Sequence, residues 1–424
     1  MWLQIVLGMA GGGCVGVVIG AIIVRNEWLA HSTRRFLRLW QWLPVFAYWM
    51  FLSGRWIEPW GGALPRELKS VISGAGVAIP VLSIAACYQY LSFRSGKMPQ
   101  SVAVTVYIVR NVFFHAFLVC LLWQLLFYPH GWNWALVLAT PDGTAVALAS
   151  LILLLLSVSA INLLTHSGFQ QSSETRAVML IDSLKNDSKA SFFGAWVIAA
   201  CTVFLWQFFQ TEIWKLFGIP APVYVFKAVS RFVVSESGVI DRYNGTTWGH
   251  IAISLIEMFF GLSLGGLIVC FVAARLTKSD GLSRLLSCLL PMTYVAPIGI
   301  WLWIIAWEFP GLIGVWHKMI LVACLTFFPL LQAFWGLRDR PIPQRIALAI
   351  DDALPFAFVG MFFGELFAAT AGIGFVVVIA AATSLFEDAV GACLIILTLL
   401  TGISAVLRFL STHFHLALPA DSER

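Results

Sequence analysis

The sequence predicts an all-α protein, a polytopic bundle of transmembrane helices, and three observations predict it. Of the 424 residues, 60% are hydrophobic and only 11% charged, with a mean hydropathy of +0.88. A water-soluble fold has no interior large enough to hide that much apolar surface. The apolar residues fall in runs of about 20, the length that crosses a hydrocarbon core of about 30 Å. The basic residues gather between alternate runs, as cytoplasmic loops require. The formal net charge of +5 is too small and too dispersed for a nucleic-acid-binding protein, and the composition excludes a soluble enzyme. Eight cysteines stand singly, with no C-x-x-C pair, so they read as small packing residues and not as a disulfide scaffold, a metal site or a redox centre.

Apolar windows lie at about 2–24, 39–57, 71–93, 104–128, 145–165, 195–216, 249–276, 285–307, 317–337, 353–380 and 388–410, about eleven spans in all. The first lacks a basic leader, is longer than a signal-peptide core and is followed by positive charge, so it reads as a retained helix. Its Gly8, Gly12, Gly16 and Gly20 recur every four residues, a spacing that lets a second helix approach closely. Gly261 and Gly265 offer the same in the seventh span. With the N-terminus outside, the inside loops carry Arg25, Arg34, Arg35 and Arg38, then Arg94 and Lys97, then Arg176, Lys185 and Lys189, then Arg275, Lys278 and Arg284, then Arg338, Arg340 and Arg345. The loop at 217–248 falls outside in spite of Lys227, Arg231 and Arg242, and reads as a folded extracytoplasmic segment. The polar tail Asp421 to Arg424 falls inside. Tryptophans such as Trp40, Trp56, Trp301 and Trp307 sit near expected interfaces, where they anchor helices without needing a ligand.

The polar linker from His166 to Ser191 divides the chain into residues 1–190, with about five helices, and residues 191–424, with about six. A weak echo, Trp49 with Pro65 and Trp206 with Pro222, both sixteen apart, gives the first half the look of a degenerate copy of the second. Arg110 and His115 are the ionisable groups of the first half at membrane depth. Arg110 reads as snorkelling and His115 as a hydrogen-bonding residue, and neither has a second ligand at metal spacing.

The second half carries an ordered set of short motifs: Gly218-Ile219-Pro220-Ala221-Pro222 with Val225, His250-Ile251-Ala252-Ile253-Ser254-Leu255, Gly261 to Gly266, Ala296-Pro297, Phe327-Phe328-Pro329 before Gly336-Leu337-Arg338, Ala353-Leu354-Pro355 with Gly360, and Gly364-Glu365-Leu366 before Gly372-Ile373-Gly374. In order and spacing, residues 195–410 resemble the membrane permease subunit of bacterial ATP-binding-cassette importers of the nitrate, sulfonate and taurine class. The resemblance implies a type I importer permease core in the second half, and a permease, not an enzyme, in a bacterial cytoplasmic (inner) membrane with its C-terminus cytoplasmic. It implies cytoplasmic ATPase subunits and an extracytoplasmic substrate-binding protein as partners beside the lipid bilayer, with another permease copy as a further candidate and nucleic acid not among them. It implies no cofactor in this chain, ATP being bound by a partner subunit; no G-x-x-x-x-G-K-[ST] occurs. The substrate class would be a small anion such as nitrate, bicarbonate or a sulfonate. The helices near 249–276, 285–307, 317–337 and 353–380 would line the pathway.

Within that resemblance the pathway candidates are Glu257, Pro297 and Glu365. Glu257 stands where importers of this class commonly carry Arg, and reads equally as a pathway residue or as the partner of a buried cation. Glu365 matches a carboxylate of the family's fifth helix, beside a Gly372-Ile373-Gly374 bend it is placed to hold. The ATPase-coupling candidates are Arg338, Arg340 and Arg345. Here the chain departs from the family: the Glu-Ala-Ala triplet and following Gly of a coupling helix are missing, the segment is shorter, and Pro341 and Pro343 leave two or three turns from Gln344 to Ala353. That departure keeps an alternative open, a permease fold reused as a non-transporting membrane scaffold or assembly subunit. An ion-coupled secondary transporter would account for Arg110 and Glu365 but not for the ordered motifs.

Overall fold

A computed structural model describes residues 6–40, 79, 82–92, 174, 176–178, 180–181, 189–208, 220–234, 245–276, 315–366, 370–383 and 385–416. Every regular element among them is helical. A π-helical turn, Met9–Gly13, leads into α1 (Cys14–Ile23); α2 is Glu27–Trp40, α3 Lys189–Phe208, α4 Pro222–Val234, α5 Thr247–Leu276, α6 Val315–Gly336, α7 Ile342–Leu366, α8 Ile373–Ala382 and α9 Phe386–Leu416. Among the described residues, four stretches are long and apolar enough to cross a membrane: Val6–Ile23, Thr247–Leu276, Lys318–Gly336 and Glu387–His413. Phe259, Phe260, Leu267 and Phe271 of α5 stay exposed, as do Phe193, Trp196, Phe204 and Phe208 of α3, faces suited to lipid and not to water. The expected spans at 104–128, 145–165 and 285–307 lie outside the described residues, as do Arg110, His115, Pro297 and the expected 39–57 span beyond Trp40.

Among the described helices α6 is central, packed between α5 and α7. Without a hydrophobic driving force between lipid-embedded helices, close backbone approach supplies the attraction, and small residues permit it. A Cβ on Gly261 would lie 2.4 Å from Val322 Cβ, one on Gly265 2.9 Å from Thr326 Oγ1, and one on Gly360 3.0 Å from Val322 Cα. The glycine stripe of the first span works the same way. Gly8, Gly12, Gly16 and Gly20 are all buried, and a Cβ on Gly16 would stand 2.2 Å from Ser83 O, so helical residues 82–92 lie directly on that face. Outside the centre, α9 packs on α7, α8 and α4, while α2 packs on α3.

Two expectations are corrected here. The Arg-rich connection after α1 is itself a helix, α2, capped where Asn26 Oδ1 accepts the Leu29 N–H at 3.1 Å; it buries Ala30, Ser32, Thr33 and Arg34. The segment from Gln344 to Ala353 is not a separate short helix before a span at 353–380. It is the opening of one continuous helix, α7, and the chain breaks instead before α8, where Gly372 takes φ +117°, a conformation suited to glycine. Pro343 falls in the first turn of α7, where its missing N–H has no intrahelical partner to lose. Pro355 lies inside α7 and frees the carbonyl of Asp351, and the Arg38 guanidinium donates to that oxygen at 3.5 Å. The expected outside segment at 217–248 contains α4, whose Val225, Ala228 and Phe232 are buried.

Candidate functional site

Helical periodicity puts His250, Ser254 and Glu257 of α5 on one face, at i, i+4 and i+7, and that face is buried at all three positions. Opposite it stands Lys318, one turn into α6, whose ammonium donates to Glu257 Oε1 at 2.7 Å with both side chains buried. From the last turn of α7 comes Glu365, also buried. Its Oε1 accepts the Ser254 hydroxyl at 2.5 Å and its Oε2 accepts the Gly374 N–H at 2.6 Å. Ser254 Oγ accepts the Ile373 N–H at 2.8 Å, and His250 Nδ1 accepts the Gly372 N–H at 2.9 Å. The orphan donors at the start of α8 are thus taken up by side chains of α5 and α7, and His250 stacks on Phe375 with ring centroids 5.9 Å apart.

Glycines make the room. A Cβ on Gly364 would come 3.0 Å from Lys318 Cγ, one on Gly374 2.7 Å from Glu365 Cβ, and one on Gly372 2.2 Å from Glu365 Oε1. Glu365 therefore holds the bend into α8 and closes the charged cluster at once. Glu257 is paired with a cation, and that pair sits within the same cluster as Glu365.

A second charged cluster lies towards the other end of α7. Asp351 is buried and meets three groups from distant parts of the chain: Arg38 of α2, Arg408 Nε of α9 at 3.1 Å, and the Ser404 hydroxyl of α9 at 2.5 Å. Its neighbour Asp352 pairs with Arg176, which also donates to Gln332 of α6 at 3.2 Å and lies 5.9 Å from the centre of the Phe356 ring.

The three coupling candidates separate. Arg338 lies on the α6–α7 turn, half-exposed, 3.8 Å from Glu174, and Arg340 follows on the same turn. Arg345 instead folds back: its Nε and Nη2 donate to Phe334 O at 3.2 and 3.0 Å, and its guanidinium lies 4.0 Å from the centre of the Phe334 ring. It caps one of the last carbonyls of α6.

No family model, curated protein or solved structure matches the chain. Sequence reasoning selected Glu257 and Glu365 but not Lys318, which stands at the edge of an apolar window and reads locally as an interfacial lysine. Asp351 and Asp352 were also missed, because nothing near them in the sequence marks the distant arginines they meet. The i, i+4, i+7 spacing of His250, Ser254 and Glu257 was the available signal for a polar helix face.

Proposed function

We propose that the chain is the membrane permease component of an ATP-driven importer for a small solute. In this reading residues 191–424 form the importer core, the whole chain makes about eleven spans in a bacterial cytoplasmic membrane with the C-terminus inside, cytoplasmic ATPase subunits drive it, and an extracytoplasmic binding protein delivers the solute. The observation that carries the reading is the enclosed Glu257–Lys318–Glu365 cluster. Ionisable groups at membrane depth are expensive and cluster on solute and ion paths, and these three come from α5, α6 and α7, which the sequence resemblance assigns to the pathway. The anion class draws its support from that resemblance alone. Two carboxylates against one ammonium do not make an anion site, so contacts to an anionic solute belong elsewhere along the path, with 285–307 and Pro297 as the sequence candidates.

The alternative, a permease fold kept as a membrane scaffold, is favoured by one observation: α7 starts at Ile342, directly after the turn, leaving no separate coupling helix. Reversal of Arg338 and Arg340 to Glu discriminates the two, with Arg345 left in place because it caps α6. Each charge pair at an interface contributes about 1 kcal/mol, so in an importer ATPase co-purification and ATP-dependent uptake fall together. A scaffold keeps its partners and has no ATPase to lose.

A further inference from the structure

We propose that Glu257 holds a proton on Oε2, and that this proton is a dissociable ligand bound at membrane depth between α5, α6 and α7. The inference does not depend on the transport reading. Among the described residues the cluster contains two carboxylates, Glu257 and Glu365, and one ammonium, Lys318, all three buried. His250 accepts a backbone N–H at Nδ1, so that nitrogen carries no proton and the ring is neutral. No other described cation reaches the cluster. On α4, Lys227 lies over Tyr224 and Arg231 pairs with Asp388. On α5, Arg275 sits at the far end over Phe271, and Arg345 of α7 is tied to the end of α6. The sequence of α8, Ile373–Ala382, contains no titratable residue. With every group ionised the cluster would bury one uncompensated negative charge, which a medium of low polarity strongly disfavours.

The donors favour Glu257 as the carboxylate that takes the proton. Glu365 receives two hydrogen bonds, one on each oxygen, and is satisfied as an anion. Glu257 receives Lys318 on Oε1, while its Oε2 is buried and meets no hydrogen-bond donor among the described residues. A bare carboxylate oxygen in that position is costly; a hydroxyl there restores neutrality. The reaction is Glu257 carboxylate plus a solvent proton giving the carboxylic acid, with Lys318 keeping its charge. A metal cation fits worse, because it requires several oxygens, the Ser254 and Glu365 oxygens are already engaged, and the Lys318 ammonium repels it.

The test is infrared difference spectroscopy on the full chain in lipid nanodiscs. The protein at neutral pH should show a carboxylic-acid C=O band that disappears reversibly at alkaline pH and is missing from E257Q. It should also be lost in E365Q, where one carboxylate and Lys318 already balance, but not in E174Q, which alters a half-exposed carboxylate at the cytoplasmic turn. E257Q mimics the protonated acid, so its thermal stability at neutral pH should equal that of the parent and vary less with pH. The proposal is overturned if no acid band depends on Glu257, if E257Q fails to fold or is strongly destabilised, as loss of an ionised partner of Lys318 would require, or if sodium at constant pH gives a thermal shift that E257Q abolishes.

Discussion

Asp351→Asn is the perturbation whose outcome the structure specifies most closely. The Asp351 side chain has no exposure, and its carboxylate meets Arg38, Arg408 and Ser404. The amide keeps the shape but removes the charge and turns an N–H₂ towards one of the donors. Removing one partner of a fully buried pair costs about 3–5 kcal/mol. The side chains of Arg38 and Arg408 are 15% and 13% exposed, so both regain some water, and about 2–4 kcal/mol is expected after that discount. Reversible unfolding in mixed detergent micelles measures it. Because Arg38 belongs to α2 and also donates to the carbonyl freed by Pro355, the cycle Asp351→Asn, Arg38→Met and the double variant should show a coupling of about 1–3 kcal/mol. Both single variants within about 0.5 kcal/mol of the parent, the range of ordinary surface substitutions, would refute the reasoning and reduce the cluster to a loose surface arrangement.

Three further outcomes are expected. Gly16→Val should destabilise the protein by about 1–3 kcal/mol in that unfolding assay, as overpacking does, because its Cβ would meet Ser83 O, whereas Gly13→Val, with open space around it, should be silent. Gly372→Ala combines φ +117° with a Cβ 2.2 Å from Glu365 Oε1 and should cost about 2 kcal/mol or more, read as a lowered thermal midpoint. For topology, cysteine at Ser235 in a thiol-free background should react with an impermeant reagent in intact cells and cysteine at Ser188 should not, as the charge rule predicts.

The long apolar helices were legible because hydropathy windows need only local sequence. The spans read at 249–276, 317–337 and 388–410 correspond to α5, α6 and α9, which run Thr247–Leu276, Val315–Gly336 and Phe386–Leu416. The start of α7 was bounded by Pro341 and Pro343, but its continuation past Pro355 to Leu366 was not legible, nor were Arg38, Arg176 and Arg408, all far away in the chain, as the partners of Asp351 and Asp352. The glycine stripe of the first span could be read as a packing face, but its partner, residues 82–92, could not. Likewise Glu257 announced a polar site by its cost in an apolar helix, while Lys318, 61 residues on, carried no local mark of pairing with it. Sequence periodicity reports which face of a helix is buried; which distant charge meets it is decided by the fold.

The proposal that the chain is the permease of an ATP-driven importer is tested most directly by photocrosslinking from the α6–α7 turn, where that proposal puts an ATPase. Asp339 points into solvent, with its side chain 90% exposed, so a photoreactive amino acid there disturbs no packing. Irradiation of intact membranes, followed by mass-spectrometric identification of the adduct, should give a nucleotide-binding ATPase subunit, and the Arg338→Glu, Arg340→Glu background should lose it. An adduct with an integral membrane protein and no ATPase, in a chain shown to be correctly inserted, would contradict the importer account and leave the scaffold in its place.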